Sequence, residues 1–360
     1  MTELRIRTRD PIVARDGRPF GSEAGNRMRC MNWLSPSVTT GAIRTLLGRL
    51  NGGDFQNVEL LSELKQTVCR GPLLVVNDRL FLPAPADALC TSSGESQMLR
   101  PDSNAGSCDL PKGLIPVTLD PQTPVEKFSC PPPAWWAVEK FAEWHTLTQD
   151  PVHGFYDSPG DFLRSPVVDE RTHVAIDPGN LAAKKGMLFS TAGLVLDRCL
   201  PTHGSDKSVA TELVVGIAGP PSANHIMRFP GGNGHQQPVG GERRLTTVHM
   251  SSSAVLHCPD DVAEVISTCQ RNSGLRMTLV TPAIFSGGWL PGWLDRESRS
   301  GTPPALAGTG FRLQLEAVCN ARWEAVSGWS YESRGPKAVR RIVPAGSTYY
   351  FKVLSTDGAD

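Results

Sequence analysis

A long arginine-bearing loop, Arg9 to Pro36, set between an alternating strand pattern and an amphipathic helix pattern, constrains the fold of this chain more than any other feature. On its N-terminal side Thr2 to Thr8 alternates, with Leu4 and Ile6 on one face and Arg5 and Arg7 on the other, as a half-buried strand does. Beyond the loop, Val38, Ala42, Ile43, Leu46, Leu47 and Leu50 share one helical face of Ser37 to Leu50, and Asn51-Gly52-Gly53-Asp54 ends that helix through glycine. The connection carries Asp10-Pro11, Asp16-Gly17 and Ser35-Pro36 where turns need them. It also carries Arg15, Arg18, Arg27 and Arg29, which a mere connector does not require.

Charge sharpens that point. Lys plus Arg is 36 and Asp plus Glu is 36, so no global basic field advertises a nucleic-acid partner, and any such partner must be held by local patches. Met1 to Leu50 holds nine Arg and no Lys against four acidic residues, a local charge of +5. With 360 residues and 39% hydrophobic content the chain can bury two cores. Its nine cysteines are odd in number and include no Cys-x-x-Cys pair, so they support neither a disulfide framework nor a zinc ribbon and fit reduced thiols. No apolar signal core and no run of about 18 apolar residues is present, so the expectation is a soluble cytoplasmic protein with no membrane partner.

Taken in order, Asn57 to Thr67 reads as a second short helix, and Leu73 to Asn77 with Arg79 to Leu82 as a hairpin turning at Asn77-Asp78. Pro83 to Pro133 is rich in Pro, Ser, Gly and Cys and reads as a mostly irregular excursion on the surface. Ala134 to Leu147 places Trp135, Val138, Phe141, Ala142 and His145 on one face of a helix that packs on the body. Arg171 to Asp177 and Gly186 to Leu196 form a strand pair with turn chemistry at Asp177-Pro178-Gly179-Asn180. Further strands are expected at Glu212 to Ala218, Leu245 to Met250, Leu275 to Thr281, Gly310 to Val318, Val339 to Val343 and Ser347 to Leu354, and a helix from Pro259 to about Asn272. The order of elements is α+β, not alternating β/α.

Catalytic signatures are sparse. There is no His-Glu-x-x-His, no Walker-type loop and no Gly-x-Ser-x-Gly elbow, so neither a metal nor a cofactor is expected. His249, His257 and Cys258 lack a companion ligand set. His173 is a candidate general base for RNA cleavage without an evident partner. What remains are cations on glycine- and proline-shaped loops: Arg15, Arg18, Arg27 and Arg29; Arg243 and Arg244 after Gly240-Gly241; and Lys337, Arg340 and Arg341. Arg forks match phosphate bidentately, and glycine lets backbone N–H groups approach as well.

Asp10-Pro11, Arg15-Asp16-Gly17-Arg18-Pro19-Phe20, Trp33-Leu34-Ser35-Pro36-Ser37 and Gly41-Ala42-Ile43-Arg44 closely resemble the start of the third subunit of the Cmr (type III-B) CRISPR effector complex, a RAMP family. Arg171 to Asp177 with Gly186-Met187-Leu188-Phe189 is similar to its central hairpin, Gly240-Gly241-Glu242-Arg243-Arg244 to its glycine-rich loop, and Gly328-Trp329, Pro336-Lys337 and Val343 to Tyr350 to its C-terminal signature. The resemblance implies two ferredoxin-like (RRM-like) domains with helical and irregular insertions, one over residues 1–250 with an insertion at about 83–165, the other over 251–360. It implies a non-catalytic subunit that grips the repeat-derived 5′ handle of crRNA and bridges the large polymerase-like subunit to a backbone RAMP in a hetero-oligomeric complex. On that footing Arg15, Arg18, Arg27, Arg29, Arg44, Gly240, Gly241, Arg243, Arg244, Lys337 and Arg340 are the expected RNA contacts, with Phe20 or Trp33 buttressing the loop or stacking on a base. The alternative is a RAMP-type crRNA-processing endoribonuclease that uses His173.

Overall fold

The computed structural model describes residues 1–18, 20, 26–91, 94–106, 109–119, 131–147, 154–202, 208–219, 229, 234–257, 273–308, 310–330 and 332–355. The main sheet has eight strands in the order His235–Pro238, Leu245–Met250, β1 (Thr2–Thr8), Glu212–Ala218, Val68–Val76, Arg79–Pro83, Trp135–Ala137 and Phe162–Leu163, antiparallel throughout. In β1, Ile6 lies opposite Leu213 on one neighbour and Val248 on the other, so three buried side chains meet across the centre. Taken in chain order, the strands Thr2–Thr8, Val68–Val76, Glu212–Ala218 and Leu245–Met250 stand 4-1-3-2, with helix α1 (Pro36–Leu50) between the first two. A strand, a helix and a second strand, with a third strand inserted between the two, make a split βαβ unit.

The sheet is covered on both faces. Under α1 and α2 (Val58–Gln66), Leu4, Ile6, Ile43, Leu46, Leu47, Leu60, Leu64, Leu74 and Leu213 form the first core. On the opposite face Leu73, Val75, Leu80, Leu82 and Val214 pack against Val138 and Phe141 of helix α3 (Val138–Thr146). Burial on both sides explains why Leu73-Leu74-Val75-Val76 is continuously apolar instead of alternating. Each such side chain contributes roughly 1.5–3 kcal/mol on burial. The expected hairpin turns at Asn77 and Asp78, whose φ values of 49° and 60° are those of the primed turns that suit strand twist.

Two expectations are corrected. Ala134 to Leu147 is not one helix: Trp135–Ala137 is a strand paired with Phe81 to Pro83, and α3 begins only at Val138. Alternation along that strand sends Trp135 into the first core, 4.1 Å from Trp33 between ring centroids, and Trp136 into a second core with Trp144, Phe155, Tyr156 and Phe162. Two adjacent tryptophans in a helix would stay close to one side, and this arrangement needs opposite sides. The second correction concerns the excursion after Pro83, where a short hairpin, Ala88–Cys90 with Ser96–Met98, is mostly buried and feeds Ala88, Cys90 and Met98 into that aromatic core.

A second sheet orders Gly274–Thr278, Thr348–Ser355, Arg312–Cys319 and Ser300–Gly301, with Leu313, Leu315, Tyr349, Phe351 and Val353 buried among Leu290 and Leu294. The expected helix from Pro259 to Asn272 lies outside the described residues. A separate ribbon, Glu324–Val326 with Arg340–Ile342 and beyond them Trp329–Ser330 with Gly335–Pro336, sends Val326 and Ile342 back into the first core. The long hairpin of Val167–Ile176 and Ala183–Val195 is exposed over its outer half.

Candidate nucleic-acid interface

The N-terminal loop is held by backbone hydrogen bonds on several sides. Ile12 exchanges two bonds of 2.8 Å with Leu194 of the long hairpin, and Met28 N–H donates to Ser190 at 2.9 Å. Gly241 N–H donates to the Val13 carbonyl at 2.8 Å, and Gly17 N–H to Ala325 of the C-terminal ribbon at 2.9 Å. The loop also doubles back on itself, since Met31 N–H reaches the Ala14 carbonyl and Asp16 N–H the Arg29 carbonyl. This packing decides what faces water: Ile12, Val13, Ala14, Met28 and Met31 are buried, while Arg15, Arg18, Arg27 and Arg29 are exposed.

Those four arginines line one shallow depression of about 80 Å³, together with Asp16, Phe20 and Met28. Asp16 shapes the turn by accepting the Arg18 N–H at 3.1 Å and holds the Arg18 guanidinium at 3.3 Å. Arg27 is paired with Glu170 of the hairpin. Arg15 and Arg29 have no side-chain partner among the described residues. Half-buried Glu324 lies close enough to Asp16 for its carboxyl to be raised above the ordinary range, chiefly by burial and secondarily by that charge. Four guanidinium groups against Asp16 and Glu170 leave a positive surplus at an open surface, the arrangement that takes a phosphodiester.

The other expected contacts divide into those the fold brings to this edge and those it does not. Arg243 is exposed and without a side-chain partner among the described residues, and Arg244 is paired with Glu242 at 2.6 Å. Gly240 and Gly241 serve the loop packing: Gly240 has φ +75°, and a Cβ there would stand 2.6 Å from the Val13 carbonyl oxygen. Gly17 does the same against the ribbon, because a Cβ would stand 2.9 Å from Val339 Cγ1 and 3.2 Å from the Val326 backbone. Exposed Lys337 and Arg340 sit on that ribbon. Phe20 is half-buried, edge-on to Phe189 at 6.4 Å, and so lines the depression.

Arg44 and Trp33 lie elsewhere. The Arg44 guanidinium donates to the Lys65 carbonyl at 2.7 Å and the Thr67 carbonyl at 2.8 Å, closing the C-terminus of α2. Trp33 is buried, donates its indole N–H to the Pro72 carbonyl at 3.0 Å and packs on Trp135, so it buttresses the sheet and presents no face to a base. His173 pairs with the Thr191 hydroxyl at 2.8 Å and stacks on Phe189. Phe189, part of the Gly186–Phe189 motif of the hairpin, takes no site role from the sequence; its place between Phe20 and His173 follows from the hairpin register. Among the described residues no group of three or more His, Cys, Asp or Glu is placed to hold a metal, and no helix is long and apolar enough to cross a membrane.

Fold and site together define a mostly β protein of the α+β class that carries an arginine-lined depression on the loop between its first strand and first helix. The family model described as CRISPR-associated protein (Cas_Cmr3) matches residues 4–360, and the chain belongs to that family. Its fold is similar to a chain in the cryo-EM structure of the type III-B Cmr-beta bound to cognate target RNA and AMPPnP, at 12% identity and a TM-score of 0.50, covering 97% of this chain and 86% of that one. A second structure of type III-B Cmr-beta bound to cognate target RNA gives 13% identity and 0.49 over the same shares. The crystal structure of the Csm3-Csm4 subcomplex of the type III-A interference complex gives 9% and 0.39, covering 99% and 94%. No curated protein matches.

Proposed function

We propose that this chain is the non-catalytic subunit of a type III-B CRISPR effector complex that grips the repeat-derived 5′ handle of crRNA. The observation that carries the proposal is the convergence of Arg15, Arg18, Arg27 and Arg29 on one depression, two of them free of side-chain partners among the described residues, in a member of the Cmr3 family. Arg15 and Arg29 take the phosphates; Arg18 and Arg27, already oriented by Asp16 and Glu170, shape the rim; Phe20 offers the ring closest to a base. Arg243 on the neighbouring loop extends the positive edge. The large polymerase-like subunit and a backbone RAMP extend the local grip that this chain, at zero net charge, makes through the depression.

The split βαβ order supports a ferredoxin-like domain over residues 1–250, interrupted at about 83–165, with a second such domain over 251–360 whose ribbon returns to the first core. A subunit of such an RNA-guided complex acts in the cytoplasm, and this chain is assigned there with it.

Handle-containing RNA bound to the purified chain, titrated with salt, tests the proposal. Arg15→Ala with Arg29→Ala weakens binding and lowers the slope of log K against log salt by about 0.7 per lost phosphate contact on a single strand. Unchanged affinity and slope would remove the depression as the RNA site.

A further inference from the structure

The C-terminal ribbon exposes two tryptophans where a buried core offers them no place. Trp323 keeps 45% and Trp329 58% of its surface in solvent, unlike Trp33, Trp135, Trp136 and Trp144, which are all buried. Cations surround them: Arg322, Arg334, Lys337, Arg340 and Arg341 are exposed on the same stretch. Of its two carboxylates, Glu332 faces Lys65 at 3.6 Å and Glu324 is half-buried with a raised carboxyl pKa. The Arg341 guanidinium lies 4.4 Å from the centroid of Trp323, a cation–π contact on an indole that stays exposed to solvent. Lys337 is fixed beside Trp329 by the ribbon itself, since Lys337 N–H donates to the Gly328 carbonyl at 2.8 Å and Trp329 lies opposite Pro336.

The ribbon is continuous with the arginine depression. Gly17 N–H bonds to Ala325, whose cross-strand neighbour is Arg341, and the absent Cβ of Gly17 lets Val339 come against the turn between Asp16 and Arg18. The turn that carries Arg18 therefore adjoins the ribbon.

From this juxtaposition of exposed indoles, exposed cations and a shared edge, we infer that the ribbon carrying Trp323, Trp329 and Lys337 is a base-stacking platform for single-stranded RNA, extending the path of the strand held at the arginine depression. The inference rests on the RNA-binding role proposed above and adds to it: the arginines fix phosphates, and the indoles require bases that are unpaired. Stacking of an RNA base on an aromatic ring is tolerant of sequence because every base has a π-face, so the platform contributes affinity for single strands without base readout.

Binding of a short single-stranded oligouridine and of a duplex RNA of equal length to the full chain, with intrinsic tryptophan fluorescence as readout, tests this. The single strand quenches the fluorescence, and Trp329→Ala and Trp323→Ala each weaken it by about tenfold with an unchanged salt slope, because a ring and not a charge is lost. Trp329→Phe recovers most of the affinity. Lys337→Ala lowers the salt slope by about one contact instead. Affinity unchanged in both tryptophan variants overturns the inference, and so does loss of a partner subunit with RNA affinity intact, which would make the ribbon a protein surface. Photocrosslinking of 5-bromouridine RNA to the unaltered chain gives the same decision without a substitution: adducts on Trp329 or Trp323 support the platform, and adducts confined to the Arg15–Arg29 segment refute it. Arg15→Ala with Arg29→Ala, measured alongside, separates the two claims, since failure of the depression leaves the tryptophan effect standing and failure of the ribbon leaves the arginine effect standing.

Discussion

Asp87, wholly buried after the Pro85 turn, meets the Arg276 guanidinium of the C-terminal sheet at 3.1 Å, across 189 residues of sequence. Its carboxylate also accepts the Trp144 indole N–H at 3.1 Å and the Tyr350 hydroxyl at 2.7 Å, while Arg276 donates to the Trp144 carbonyl. The insertion is thus joined to the second sheet by a buried ion pair whose spare valences are filled. Removing one member leaves the other charged and desolvated, which typically costs about 3–5 kcal/mol. Arg276→Met is expected to lower the urea midpoint accordingly. The Asp87→Asn, Arg276→Met double variant should lose less than the two single changes added together, because the sites share one interaction. A single-variant loss below about 1 kcal/mol would show the pair to be dispensable.

His145 turns the same junction into an acid-sensitive one. Its Nδ1 lies 2.8 Å from the Phe141 carbonyl, which only accepts, so Nδ1 carries the proton and Nε2 accepts from the Thr278 hydroxyl at 2.9 Å. Burial, with help from the Arg276 charge and against the opposing Asp87, lowers the imidazole pKa from 6.5 to about 4. Between those values the unfolded chain binds the proton and the folded chain does not, so stability rises with pH across that window. The contribution is complete above pH 6.5 and is lost as pH falls towards 4, to the extent of roughly 3 kcal/mol. His145→Gln should flatten the stability profile between pH 6.5 and 4 relative to the unaltered chain, as measured by urea unfolding at stepped pH. Parallel profiles would refute the assignment.

Much of this architecture is legible in the sequence where physics is local. β1, α1 and α2 follow from periodicity, and the turn at Asn77 and Asp78 from residues that tolerate positive φ. Trp135–Ala137 is misread because a helical period fits its surroundings, and only pairing with Phe81 to Pro83 reveals a strand. Asp87 gives no signal at all: its partners Trp144, Arg276 and Tyr350 are far along the chain, and a lone Asp near proline reads as a turn. The site divides in the same way. Arg15, Arg18, Arg27 and Arg29 are identified by residue type and loop context, and the structure brings them together. Arg44 has the same residue type, but α1 packs it against the end of α2.

Gly240 is expected to be intolerant for a reason separate from RNA. Its φ of +75° strains any L side chain, and a Cβ would stand 2.6 Å from the Val13 carbonyl oxygen, a backbone atom that moves only with the loop. Gly240→Ala should destabilise by about 1–3 kcal/mol. Because Gly241 N–H tethers Val13, it should also raise hydrogen exchange at the Gly241 amide. Wild-type exchange there would show that the loop accommodates the methyl group.

Arg44→Ala distinguishes a structural arginine from a binding one. Its guanidinium satisfies the Lys65 and Thr67 carbonyls where α2 ends, and a cation there also opposes the negative end of the helix dipole. Charge-assisted bonds of this kind contribute about 1.5–3 kcal/mol, part of which water recovers at this half-buried position, so a loss of about 1–2 kcal/mol in unfolding free energy is expected. Arg15 has no such carbonyls among the described residues, so Arg15→Ala should leave stability within about 0.5 kcal/mol. RNA binding should show the reverse order, with Arg15→Ala reducing the salt slope and Arg44→Ala leaving it unchanged once both proteins are verified as folded. A reduced slope in Arg44→Ala would mean that the guanidinium leaves the helix end to meet phosphate, and the phosphate path would then continue along α1 instead of towards the C-terminal ribbon.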